Sequence, residues 1–84
     1  MWKNRTIREA INRVLWGCED RDRYSLLLVD RFEGLVEVSF RYVRGVDKGY
    51  VYVDTGSGVK PIPIHRVRAI LRDGVEVWGR GSKG

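Results

Sequence analysis

The chain has 84 residues, 43% hydrophobic and 32% charged, and its sixteen Lys and Arg outweigh eleven Asp and Glu to give a net charge of +5. That length provides for one domain with one modest core, because a chain of this size buries only about 60% of its unfolded surface, and it leaves no room for a second catalytic domain. Arginine outnumbers lysine, and its planar fork suits phosphate, so the balance favours an anionic partner; a solvated, ion-paired surface is the competing explanation.

The longest apolar run, Leu26 to Val29, is far too short to span a bilayer, so no membrane association is expected. The basic Met1-Trp2-Lys3-Asn4-Arg5 runs into an amphipathic pattern and not into an apolar signal core, which reads as a cytoplasmic chain. One cysteine cannot form an internal disulfide, and one cysteine with one histidine cannot supply a structural zinc site. We therefore expect no metal and no cofactor.

Thr6-Ile7-Arg8-Glu9 has the spacing of a capping box, in which each polar side chain satisfies a backbone amide left free at a helix start. Ile7, Ala10, Ile11, Val14 and Leu15 then recur on one helical stripe, and Gly17 is a stop. The pattern predicts a helix from Ile7 that docks on Val36, Val38 and Phe40 or on a neighbouring strand. Cys18 to Arg23 alternates charge and reads as an exposed loop; the acids beside Cys18 disfavour a thiolate there. Tyr24 to Arg31 carries consecutive apolar residues, as in a strand covered on both faces and interior to a sheet. Phe32-Glu33-Gly34 connects it to a second strand in which Val36, Val38, Phe40 and Tyr42 alternate with polar residues. Arg44 to Gly49 reads as a loop, and Tyr50 to Val53 as a third strand.

Asp54-Thr55-Gly56-Ser57-Gly58 reads as a plain hairpin turn in preference to a phosphate cradle, since neither a helix nor a lysine follows it directly. Beyond it, Ile62 and Ile64 share one parity while Val67, Ala69 and Leu71 share the other. A strand changes face at every residue, so this switch implies a bulge or sharp bend centred on His65 and Arg66. Asp73-Gly74 is a strong hairpin signal that pairs Val75 to Trp78 back on the residues before it. Residues 79–84 form a basic, glycine-rich tail expected to be flexible, leaving residues 1–78 as a single α+β domain: one N-terminal helix on a curved antiparallel sheet of about five strands.

Catalysis generally needs at least two positioned titratable groups, and His65 is the only histidine; Asp30 is the candidate partner if its strand lies beside the bend. Binding needs less. Arg31, Arg41, Arg66 and Arg68 are suited to phosphate, His65 to an oriented hydrogen bond, and an exposed tyrosine or tryptophan to stacking on a base, with Trp2, Trp16 and Trp78 as the large aromatic candidates. Trp16 and Trp78 are read first as core plugs, because an indole contributes so much buried area in a small domain.

Ile62-Pro63-Ile64-His65-Arg66-Val67, followed by Asp73-Gly74-Val75-Glu76-Val77-Trp78, resembles a family of small, largely archaeal domains known as the RNA cyclic-group end recognition domain. Ile11 to Trp16 is similar to that family's opening helix, and Tyr24 to Arg31 to its first strand. The resemblance, carried by the Pro-x-His-Arg motif at Pro63 to Arg66 and by the first strand up to Arg31, implies recognition of RNA ends bearing a cyclic phosphate, with His65, Arg66 and Arg31 at the site. Arg41 and Arg68 would add affinity, with Asp30, Tyr42 and Trp78 in support. With no fused enzyme in this sequence, the resemblance leaves two modes open, action alone or with RNA-processing enzymes as partners in trans. A small phosphoesterase using His65 with Asp30, and a protein-interaction module pairing through a sheet edge, are the alternatives. RNA binding weakens steeply with salt, whereas edge pairing is nearly indifferent to it.

Overall fold

The computed structural model describes residues 6–17 and 19–79, so the expectations for Trp2, Cys18 and residues 80–84 lie outside the described residues. The capping box forms as read: the Thr6 amide donates to Glu9 Oε1 and the Glu9 amide to Thr6 Oγ1, each at 3.2 Å. It starts helix α1, Ile7–Gly17, whose Ala10, Ile11, Val14 and Leu15 are buried. After a 3-10 turn at Arg21–Arg23 come seven strands: β1 Tyr24–Asp30, β2 Gly34–Ser39, β3 Val43–Val46, β4 Tyr50–Asp54, β5 Val59–Pro63, β6 Val67–Arg72 and β7 Val75–Gly79. The α+β class and the N-terminal helix are as expected, but the single sheet of about five strands is not. The strands divide into two antiparallel sheets, ordered β2-β1-β6-β7 and β3-β4-β5.

Two short 3-10 turns produce this division. Phe40–Tyr42 carries the chain from β2 in the first sheet to β3 in the second, and Ile64–Arg66 carries it back from β5 to β6. The bend expected at His65 and Arg66 is therefore a single helical turn that changes sheets. The other corner corrects two expectations. Phe40 and Tyr42 do not extend β2, and the segment after Arg44 is not wholly loop, since Val43–Val46 pairs with β4.

One cluster unites the helix with both sheets: Ile11 and Val14 from α1, Leu26 from β1, Ile70 from β6, and Val43 and Val51 from the second sheet. Phe40 is fully buried in it and meets Tyr24 edge-on, with ring centroids 6.3 Å apart. The helix makes its main strand contact with β3, and Phe40 with partly buried Val38 of β2 belongs to the same packed cluster. β1 is interior to its sheet as expected, between β2 and β6; Leu26 and Leu28 are buried on one face, while the other runs from buried Ser25 through half-buried Leu27 to exposed Val29. Trp78 is a core residue, but Trp16 is 77% exposed, against the expectation that it would plug the core. The Asp73-Gly74 hairpin forms with φ of 53° and 85°, the two positive angles of a tight turn whose twist matches its strands, and Gly79 pairs with Ala69 as the last residue of β7, not the first of a tail.

Candidate functional site

The Ile64–Arg66 corner is held from three directions. Pro63 fixes the entry backbone, the Val67 amide closes the turn on the Ile64 carbonyl, and the Ile64 amide donates to the Gly49 carbonyl at 2.9 Å. Gly49 is itself fixed by Asp47, whose Oδ1 accepts the amides of Gly49 and Tyr50 at 3.0 and 2.9 Å and whose Oδ2 accepts the Tyr52 hydroxyl at 2.6 Å. The Tyr52 hydrogen bond first, and those two amides next, hold the Asp47 carboxyl below its ordinary 3.8. A loop whose Gly49 lies 15 residues before Ile64 thus sets the position of the corner.

On this support His65 is exposed, Arg66 is half-buried, and Arg68 projects from the start of β6 next to buried Val67. Together with Arg31 and Val29 from the end of β1, they line an open depression of 470 Å³. Among the described residues no carboxylate lines it. Arg31 stands over the Phe32 ring at 5.9 Å, which leaves its guanidinium edge toward solvent. Of the residues read from the sequence, Arg31, His65, Arg66 and Arg68 are therefore brought together.

The others lie elsewhere. Arg41 and Tyr42 line a second open depression with Arg44, Asp54 and Thr55, and its cations are neutralised: Arg41 is 3.7 Å from Asp22, and Arg44 is 2.7 Å from Asp54. Trp78 is buried. Asp30 caps the turn after β1, its Oδ1 accepting the amides of Phe32 at 2.8 Å and Glu33 at 3.1 Å. Those amides, Phe32 first, hold its carboxyl below 3.8, with Arg66 and Lys60 adding to the effect. Among the described residues no hydrogen bond joins Asp30 to His65.

Asp30 and Arg66 instead share a third, more enclosed hollow of 250 Å³ at the open end between the sheets, where Lys60 of β5 also sits. Sequence reading singled out neither Lys60 nor Val29. An isolated lysine on a Pro-containing strand and a valine in an apolar run carry no local signal; only the sheet pairing brings them to the site.

The fold and site together define a small, basic α+β domain with a carboxylate-free cationic depression at a sheet-changing corner. The chain belongs to the MJ1316 RNA cyclic group end recognition domain family, whose model matches residues 5–80. It is similar to a UPF0248 protein of Metallosphaera sedula, 45% identical over 75 residues that cover 89% of this chain and 92% of the relative. UPF0248 proteins of Saccharolobus islandicus are 34% identical over 88% of this chain and 98% of theirs, and one of Aeropyrum pernix is 40% identical over 89% and 78%. No solved structure matches the chain significantly. No helix among the described residues is long and apolar enough to cross a membrane.

Proposed function

We propose that the domain binds RNA 3′ ends carrying a cyclic or related terminal phosphate, without catalysis of its own, and presents them to RNA-processing enzymes acting in trans. The observation that carries this reading is the meeting of Arg31, His65, Arg66 and Arg68 around one depression with no carboxylate among its lining residues. A terminal phosphate needs a bidentate fork and an oriented donor, which an arginine and an imidazole on a rigid turn supply. The family description, RNA cyclic group end recognition, supports this reading in its coarser form. Pairing through the β5 edge is disfavoured, because Pro61 and Pro63 remove donors from that strand.

In this reading Arg66 and His65 read the end, Arg31 and Arg68 hold its charge, and the Arg41–Tyr42 depression takes the strand further upstream. The test is a titration of one short RNA bearing a cyclic phosphate, an open phosphate or a hydroxyl end, at several salt concentrations. The cyclic end should bind most tightly, and His65→Ala or Arg66→Lys should shrink the differences among ends without lowering the thermal midpoint. Arg68→Ala should weaken all three ends alike and reduce the salt slope by about 0.7 per lost phosphate contact. Equal affinity for the three ends, or turnover of the cyclic phosphate that vanishes in His65→Ala, would overturn the proposal.

A further inference from the structure

Beside the cationic depression lies the enclosed hollow at the open end between the sheets, and the two share Val29 and Arg66. Their chemistry differs. The depression has three arginines and a histidine and no acid, whereas the hollow's cations, Lys60 and Arg66, face an equal number of carboxylates, Asp30 and Glu33. Its walls are apolar, with Leu28 and Val36 from the first sheet opposite Pro61 and Ile62 from the second. A charge-balanced, apolar-walled hollow is unsuited to phosphate and suited to a flat, neutral group with a polar edge. At 250 Å³ it is smaller than the ~300–1,000 Å³ typical of sites for larger ligands, which limits the occupant to about one ring system.

We infer that this hollow seats the base of the terminal nucleotide and selects one carrying an exocyclic amine, while the neighbouring depression holds that nucleotide's phosphate. The inference rests on the RNA-end reading above, because the phosphate places the base. Arg66 is the hinge of the arrangement, bordering both subsites. The acceptors are Asp30, whose Oδ1 is occupied by backbone amides and whose Oδ2 remains for a ligand, and Glu33 at the rim. A carboxylate accepts from the amine of cytosine, as in direct base readout, but repels the two carbonyls that flank the imide N–H of uracil.

The test uses the intact chain and short RNAs that differ only in the last nucleotide: cytidine, uridine or an abasic 1-deoxyribose with a cyclic phosphate, and cytidine with an open phosphate. Cytidine should bind roughly tenfold or more tightly than the abasic end, and measurably better than uridine. Asp30→Asn keeps the acceptor that caps the turn and should narrow the cytidine–uridine difference. Val36→Trp fills the hollow and should bring the cytidine-to-abasic ratio to about one while the preference for the cyclic end persists. If the abasic and cytidine ends bound equally while the cyclic end still beat the open one, the base subsite would fall and the end reading would stand. If the base mattered but the phosphate did not, the end reading would fall and, with it, the placement of the base by the phosphate. Cytidine and uridine binding equally would remove the amine selection, and a folded Val36→Trp with an unchanged ratio would place the base elsewhere. Should Val36→Trp fail to fold, the abasic comparison on the unmodified chain still decides.

Discussion

The two corners perform the same backbone task with opposite surfaces. Each is one 3-10 turn that moves the chain between sheets, each is preceded by an extended residue, Ser39 or Pro63, and each is followed by a buried valine, Val43 or Val67. At the first, Phe40 is fully buried, and the arginines around it are matched by Asp22 and Asp54. At the second, Ile64 is only half-buried, and the lining of the depression beside it contains cations without carboxylates. One corner is anchored by the core and electrostatically closed; the other is anchored by a neighbouring loop and left charged. The difference indicates that the geometry of the turn is a structural requirement of this two-sheet fold, while the charge pattern on it is what distinguishes a site from a corner.

The largest expected effect tests the anchoring. Phe40→Ala removes a fully buried ring and should cost about 3–5 kcal/mol in chemical denaturation, whereas Ile64→Ala, being half-buried, should cost roughly 1–2 kcal/mol. Equal losses would mean that both corners are held by the core, and the contrast between them would fail.

Sequence reading caught one corner and missed the other for a definable reason. From Ile62 and Ile64 to Val67 and Ala69 the apolar parity switches openly. The same switch occurs from Val36, Val38 and Phe40 to Val43, but Tyr42 continues the even series and conceals it; its side chain is 47% exposed and lines the surface, not the core. An amphipathic residue at the phase change imitates a strand that continues. The helix and the Asp73-Gly74 hairpin were legible because their signals are local: Thr6 and Glu9 bond each other, and a tight turn names its own residues. Trp16 misleads because the size of an indole argues for burial, whereas its position lies off the buried helical stripe of Ala10, Ile11, Val14 and Leu15. At the site, Arg31 and the His65-Arg66 pair could be read from a motif, whereas the hollow they adjoin depends on pairing between residues far apart in sequence. Its lining from Asp30, Lys60 and Ile62 has no linear signature.

The loop anchor predicts an acid-sensitive second corner. Asp47 has a carboxyl held below 3.8 by the Tyr52 hydroxyl and by the Gly49 and Tyr50 amides. A depressed carboxyl contributes stability that is present above the unfolded value and lost as pH falls through the lower folded value. The clasp should thus be intact at neutral pH and released below pH 3.8. Asp47→Ala should release it at all pH values. Hydrogen exchange at the Ile64 amide, which donates to Gly49, is the readout: it should quicken in Asp47→Ala at neutral pH relative to the Val53 amide of the strand interior. Unchanged Ile64 exchange would show that the turn is held without the Asp47 clasp.

The smallest effect tests whether charge balance, and not position, separates the corners. Asp22 lies 3.7 Å from Arg41, and both side chains are more than half exposed. An exposed pair of this kind contributes about 0–1 kcal/mol, so Asp22→Ala should barely move the thermal midpoint. It does remove the carboxylate that neutralises Arg41 beside Tyr42. If the first corner differs from the second chiefly by that neutralisation, then Asp22→Ala should raise RNA affinity at low salt and steepen its salt dependence by up to about 0.7, the increment of one phosphate contact on a single strand. The preference among end types should stay as it was, because His65 and Arg66 are untouched. A change in that preference would mean that the Arg41 corner reads the RNA end as well. An unchanged salt slope would mean that the upstream strand passes elsewhere on the surface.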